Sequence, residues 1–434
     1  MMMLPQEIFT DHVRPFLDPE VLFQFVKTWE HDDDMMVVLR WFFMRGLMDP
    51  YYVSVSKWNL LSWACFHNHR EMIDFLLEMK IDLHLLKHTV YIYISKTSPA
   101  IDFHMDAIDI ICYYNRLEIL KKLVAYDPSI LTCANLHYAC EMNHTKMCEF
   151  LVRQAVPLDP KLFLPVCRHN NVHLFRLLRE NGCPLTHRYM SGRTLLMYAC
   201  MQESLEIVQD IFLYGNGALD ANEQDDHGNT ALMYVCNPLS MSHREKNRTS
   251  NERVKLQIVK LLVEEGVHAN HQKKSGATAL FIAFQHHYYS VATYLVEKGA
   301  NINAQDHSGW NCLMYACYSG NYETAQQIIQ HGVDLEQKNK DGMNALMFAC
   351  RYKRHNIFDL ILKQCDWCQC LNTQDEIGYT ALMWACVNTP DPYMIRKLVR
   401  KGADVSLKTI HGTTALHLAY EYGSDDNTVA LLIL

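Results

Sequence analysis

Three thiols stand within the stretch CDWCQC at 365–370, and closely spaced thiolates are the usual raw material of a zinc site. A tetrahedral site needs further ligands, and no Cys/His pair stands nearby in sequence; His355 lies on the preceding loop. The stretch also follows an apolar helical run, where a turn is expected, so no metal is assigned. His137 and Cys140 lie three apart, on one face of a helix. A nucleophile also needs an oriented base, which spacing alone does not supply. The 23 histidines include HNH at 67–69, NH at 143–144 and HH at 286–287, in polar stretches that read as exposed loops. No phosphate-binding loop, dinucleotide fingerprint, HExxH or GxSxG occurs. The expectation is a chain that is not an enzyme, with no catalytic residue and no cofactor.

Most of the 16 cysteines follow another rule. Cys65, Cys112, Cys140, Cys167, Cys200, Cys236, Cys317, Cys350 and Cys386 occupy one recurring place, shared by Phe284 and Tyr420. The clearest spacing is about 33 residues, a length typical of solenoid repeats. The phrase GNTALMYVC (228–236) returns as GWNCLMYAC (309–317), GMNALMFAC (342–350) and GYTALMWAC (378–386). Stacked helices lie about 8–10 Å apart, and a disulfide needs Cα atoms about 4.4–6.8 Å apart. A ladder of equivalent cysteines therefore cannot cross-link itself. These thiols are expected as small, reduced core residues in a reducing cytosol.

One period spells out its own structure. In residues 306–338, DHSG is a turn signal. Leu313, Ala316 and Cys317 follow at helical spacing, then GN breaks the run. Ala325, Ile328 and Ile329 mark a second helix, which Gly332 closes. Neither helix is long enough to stand alone in water, so each must bury a face on the next unit.

This unit resembles the ankyrin repeat, whose phrase is roughly D-x-x-G-x-T-P-L-H-x-A-A followed by G-x-x-x-x-V-x-L-L-L-x-x-G-A-D-V-N. DDHGNTALMYVC, KSGATALFIAF, IHGTTALHLAY, LVEKGANINAQ and LVRKGADVSLK carry the resemblance over 189–434. The family's Pro is mostly Ala here. Its His is mostly Met (Met197, Met233, Met314, Met347, Met383), with only His417 retained. Met fills the space without the hydrogen bond. Over 58–188 the match is degenerate: helix pairs recur without the D-x-x-G turn, at spacings of 27 and 28 residues. The resemblance implies an all-α solenoid of about eleven helix-loop-helix units, with β-finger turns only in the C-terminal part. The polar stretch 237–253 reads as a loop inserted between two helices of one unit.

Residues 1–57 precede the repeats and stand apart. LPQEIFTDHVRPFLDPEVLFQFVKTW (4–29) resembles an F-box through Leu4, Pro5, Ile8, Leu17, Pro19, Leu22 and Trp29. That resemblance implies docking to the adaptor subunit of a cullin ubiquitin ligase. The first interval is one residue too long, the Trp comes about one turn early, and Pro15 interrupts the first helix. The other reading is a helical cap closing the apolar end of the solenoid. Combined F-box and ankyrin chains are familiar as viral or bacterial effectors acting in a host cell.

The ankyrin resemblance implies a protein-protein interaction scaffold that binds its partner on a concave face. The family's contact positions follow each turn Gly and each Ala-Cys pair. They fall here on Arg193, Asn229, Gln285, His286, Trp310, Tyr318, Met343, Arg351, Tyr352 and Tyr379. Composition narrows the alternatives. The 434 residues are 49% hydrophobic and 20% charged, as in a globular chain, with a net charge of -8 that disfavours nucleic acid as a partner. No apolar run approaches the length of a membrane span, and the start lacks a signal-peptide pattern, so a cytoplasmic chain is expected.

Overall fold

The residue before each first helix decides where that helix begins. Thr230, Thr278, Asn311, Asn344, Thr380 and Thr414 stand there with extended backbone, and each side-chain oxygen accepts the N–H three residues on. The two Asn caps also reach the following unit. Asn311 Nδ2 donates to Gln337 Oε1 at 2.9 Å, and Asn344 Nδ2 donates to the Cys370 carbonyl at 2.9 Å. His417, the one retained His, has Nδ1 2.8 Å from its cap hydroxyl, Thr414 Oγ1. Every one of these caps accepts a backbone N–H, from Met at four of them, from Phe281 at Thr278 and from His417 at Thr414, so the Met-for-His exchange leaves helix initiation intact.

A computed structural model describes residues 59–83, 90–92, 103–215, 220–237, 252–364, 369–387 and 389–433. The F-box-like stretch, with Leu4, Pro5, Ile8, Leu17, Pro19, Leu22 and Trp29, lies outside these residues. Most of the 237–253 insertion and the first thiols of CDWCQC do too. Among the described residues, 22 α-helices form the eleven expected pairs. The chain divides into two units, Met1–Leu185 and Thr186–Leu434.

The first unit holds four pairs: Leu60–His67 with Arg70–Glu78, Ala107–Tyr113 with Leu117–Tyr126, Cys133–Glu141 with Thr145–Arg153, and Phe163–Arg168 with Val172–Glu180. Cys65, Cys112, Cys140 and Cys167 are buried, at the centre of the stack. Asn68, Asn115, Asn143 and Asn170 make the left-handed turn after each first helix, a conformation Asn tolerates well. Histidines of these loops do more than face water. His144 Nε2 lies 2.9 Å from the Tyr113 carbonyl of the preceding pair, so the loop stitches two pairs together. One element was absent from the sequence reading. Val90–Ile92 pairs antiparallel with Phe103–Met105, with Tyr91 opposite His104. This short ladder accounts for part of the long gap between Cys65 and Cys112.

The second unit holds seven pairs, from Leu195–Met201 with Leu205–Tyr214 to Ala415–Glu421 with Asp426–Ile433. Cys200, Cys236, Cys317, Cys350 and Cys386 are likewise buried. The helix after the insertion begins at Glu252, so the loop expectation ran two residues too far. Glu252 is already engaged, its carboxylate accepting the Ser290 N–H at 2.8 Å. The same helix carries Lys255, which is buried. Its Nζ donates to the Val235 carbonyl at 2.7 Å and lies 3.3 Å from Glu203 Oε1. Ala231–Cys236 stops where Asn237 turns extended, and the lysine satisfies a carbonyl at that end.

Between pairs, the fingers close on two backbone bonds, such as Asp306 N–H to the Trp310 carbonyl and Gly309 N–H to the Asp306 carbonyl, each at 2.9 Å. Each tip then donates one N–H to the tip before it. His307 bonds the Ser275 carbonyl, Lys340 that of Ser308, and Glu376 that of Asp341, each at 3.0 Å. Backbones this close leave no room for a side chain at the tip. Gly309 has φ +77°, and a Cβ there would sit 2.8 Å from the Lys340 nitrogen.

Candidate protein-binding face

A single acidic residue organises several of the fingers. Asp306 Oδ1 accepts the N–H of Ser308 at 2.8 Å and of Trp310 at 2.9 Å, which fixes the turn. Its Oδ2 accepts the Tyr315 hydroxyl at 2.8 Å, nine residues on in the first helix. Asp225 does the same for His227, Asn229 and Tyr234, and Asp375 for Ile377, Tyr379 and the Trp384 indole N–H. In the intervening unit Asn339 replaces Asp and Phe348 replaces Tyr. Asn339 still accepts the turn N–H of Met343 at 2.8 Å, and no polar group on Phe348 calls for a partner. In these three units the Asp therefore ties finger to helix.

The titration behaviour follows from these contacts. Burial, then Asp306, pushes the Tyr315 phenol up to about 12. Burial and Asp225 do the same for Tyr234, which also reaches about 12. Burial opposes ionisation of Asp225, yet the donors from Tyr234, Asn229 and His227 outweigh it and hold its carboxyl below the usual range.

Aromatic side chains build outward from this frame. Trp310 is half-buried, with its ring centroid 4.7 Å from Tyr315, 4.4 Å from Phe348 and 5.7 Å from Tyr318. Tyr318 is 49% exposed and meets Tyr352 edge-on at 5.0 Å. The Arg351 guanidinium lies 5.8 Å from the Tyr352 ring and 4.5 Å over the Trp384 indole. Tyr379 packs on the other side of the chain of rings, 4.9 Å from Trp384. Trp310, Tyr318, Arg351, Tyr352 and Tyr379 are thus one contiguous group, joined through Phe348 and Trp384.

The remaining candidates are placed differently. Met343 is only 3% exposed and lies beneath Arg351, its Sδ 3.6 Å from Nη1. It supports the face rather than presenting a side chain to it. Asn229 turns inward, its Nδ2 3.1 Å from Asp225 Oδ2. Gln285 is exposed and lines a cleft of about 560 Å3 with Phe281, Phe284, Tyr315 and Tyr318. His286 is half-buried beside Tyr288; burial, then the charges of His287, Lys255 and Lys273, pull its pKa down. Arg193 Nε donates to the Tyr234 hydroxyl at 2.8 Å, and its guanidinium lies 5.4 Å from that ring. Burial opposes the Arg193 charge, but the Tyr234 and Tyr198 oxygens overcome it and raise its pKa. Arg193 follows the turn Gly192, the place that Trp310 holds three units later.

Trp384, Tyr315, Phe348 and Phe281 were missed by position-by-position reasoning. The signal was available: Tyr315, Phe348 and Trp384 share one variable place in a recurring phrase, as in CLMYAC, ALMFAC and ALMWAC, and Phe281 stands where the phrase otherwise has Met.

Cysteine chemistry is muted throughout this unit. Burial pushes the Cys236, Cys312 and Cys386 thiols up to about 12. Cys370, the last thiol of CDWCQC, is buried and disulfide-bonded. Among the described residues no group of three or more His, Cys, Asp or Glu side chains is placed to hold a metal ion. No helix among them is long and apolar enough to cross a membrane.

The period, the finger ladder and the helix pairs agree with the comparison to known families. Runs of ankyrin repeats are matched at 162–242, 249–306 and 303–369, and single ankyrin repeats at 56–85 and 377–410. No curated protein matches the chain closely enough to serve as a relative. Matches over more than half of the chain mark it as a protein-protein interaction module, and the chain belongs to the ankyrin-repeat proteins.

Proposed function

We propose that residues 186–434 bind a partner protein on the face formed by the finger turns and first helices, without catalysis. Trp310, Tyr318, Arg351, Tyr352, Trp384 and Tyr379 are its anchors. The observation that carries this reading is the unbroken sequence of ring and guanidinium contacts across adjacent pairs, which includes a tyrosine, Tyr318, that is half exposed. Trp, Tyr and Arg are the residues that dominate interface energies when a partner desolvates them. A structural plug would hide its aromatic surface, whereas Tyr318 leaves half of its own in water.

The test starts from proximity labelling to find the partner, followed by calorimetry with purified proteins. Tyr318→Ala should weaken binding by about 2 kcal/mol or more while leaving the melting temperature almost unchanged. Tyr393→Ala, equally exposed on a second helix, is the control and should leave affinity alone. Unchanged affinity in Tyr318→Ala and Trp310→Ala together refutes the binding face.

A further inference from the structure

Arg351 is the unusual member of this face. It is exposed, yet its guanidinium is held in place by three groups that carry no charge: the Trp384 indole, the Tyr352 ring and Met343 Sδ. Among the described residues no carboxylate lies within ion-pair distance of it. The indole under it is itself fixed, because Trp384 Nε1 donates to Asp375 Oδ2 at 3.0 Å. Asp375 spends its other oxygen on the turn N–H groups of Ile377 and Tyr379. An exposed guanidinium that lies over a ring and makes no ion pair keeps N–H donors available for a carboxylate. A cation oriented before binding loses little entropy when an anion arrives.

A second feature lies along the same face. The cleft of about 560 Å3 between the pairs of Ala279–Gln285 and Cys312–Ser319 is walled by Phe281, Phe284, Tyr315 and Tyr318. Part of its polar lining is already paired: Asn321 Nδ2 lies 3.1 Å from His287 Nδ1, and Thr324 Oγ1 is 3.0 Å from the Tyr289 hydroxyl; Gln285 and Glu323 line its exposed rim. Below that rim the cleft offers an occupant an aromatic wall. Tyr318 is shared between the cleft and the path of rings that leads to Arg351.

Resting on the reading of this face as a protein-binding surface, we infer that its occupant is an extended segment of a partner protein. That segment places a bulky apolar side chain in the cleft and a carboxylate on Arg351. The spacing follows from the repeat. Arg351 ends the first helix one pair beyond Tyr318, and neighbouring helices are about 8–10 Å apart. The cleft-to-guanidinium span is thus one to two helix spacings, about 10–20 Å. At about 3.3 Å per residue that is three to six residues of extended chain.

A displayed library of random twelve-residue peptides, selected on the intact chain, tests this directly. The expected pool carries Asp or Glu three to six positions from a large apolar residue. For a selected peptide measured by fluorescence anisotropy, replacing that acid with its amide should weaken binding about tenfold, the loss of one charge-assisted pair. Arg351→Gln should bind acid and amide peptides equally, and Arg351→Glu should prefer a lysine at that place. Melting curves of both variants keep folding separate from recognition, and Arg351→Lys should retain a reduced preference for acid. If the pool shows no acid preference but is lost in Trp310→Ala, the inference falls and the binding face stands. If no pool enriches over a Trp310→Ala, Tyr318→Ala chain, both fall.

Discussion

The Tyr234 hydroxyl donates to Asp225 Oδ2 at 2.6 Å, closing a finger onto the helix nine residues further on. The same bond joins Tyr315 to Asp306 at 2.8 Å and Trp384 to Asp375 at 3.0 Å. Where the helix residue is Phe348, which has nothing to donate, the finger residue is Asn339. In these four units the two ends of the contact vary together, whereas the unit of Arg193 pairs the rings of Tyr189 and Tyr198 at the same two places.

The first prediction is a double-mutant cycle on this bond. Tyr315→Phe should cost about 1–2 kcal/mol in urea unfolding, since a hydrogen bond to a carboxylate is lost at a half-buried site. In an Asp306→Asn background, which imitates the Asn339 and Phe348 pair, the cost should fall to about half or less. Equal costs in both backgrounds would show that the hydroxyl is not coupled to Asp306.

The second prediction concerns alkaline pH. Burial raises the thiols of Cys167, Cys236, Cys312 and Cys386 from 9.0 to about 12. A raised pKa means that the folded state holds the proton more tightly than the unfolded chain. The stabilisation is complete below pH 9 and is lost as pH rises towards 12. Each such thiol removes about 1.4 kcal/mol per pH unit in that window. The urea midpoint should therefore drop steeply above about pH 9, and Cys236→Ala should flatten the slope by about one proton. A midpoint that stays level to about pH 10.5 contradicts the buried-thiol assignment.

Glycine provides the third. Gly309 and Gly332 share φ +77°, but only at Gly309 would a Cβ strike a neighbouring backbone, at 2.8 Å. Gly332→Ala should cost about 1 kcal/mol, for the left-handed conformation alone. Gly309→Ala should cost about 2–3 kcal/mol, because the fingertips must also part. Equal losses of melting temperature would mean that the ladder of fingertip bonds does not constrain the fold.

Lys255 is the fourth. Lys255→Met keeps the length of the side chain but deprives the Val235 carbonyl of its donor and Glu203 of a cation. The cost should be about 2–4 kcal/mol. Hydrogen exchange should speed up first in Ala231–Cys236, the helix whose end the amine supports. Uniform acceleration across the second unit would show that the lysine serves general packing instead.

The eleven pairs were legible because their causes are local. A Thr or Asn cap, an Ala-Cys pair at helical spacing and a closing Gly act within one unit, and repetition makes them visible. The buried thiols were legible for the same reason: one place in the period has one environment. The strand pair Val90–Ile92 and Phe103–Met105 was not, because neither segment has a repeated counterpart to betray it.

What the sequence by itself determined is the unit, its number and the family face on which a partner would lie. Tertiary structure alone decided which side chains that face presents. Asn229, Trp310, Met343 and Tyr379 hold equivalent places after a turn glycine, yet Asn229 turns in to Asp225, Met343 is buried, and Trp310 and Tyr379 lie half-covered on rings of the first helices. The period sets where each Cα stands. Exposure depends on the size and polarity of whatever the next unit stacks against it, and Trp384 beneath Arg351 is two periods from Trp310 in sequence but part of the same surface.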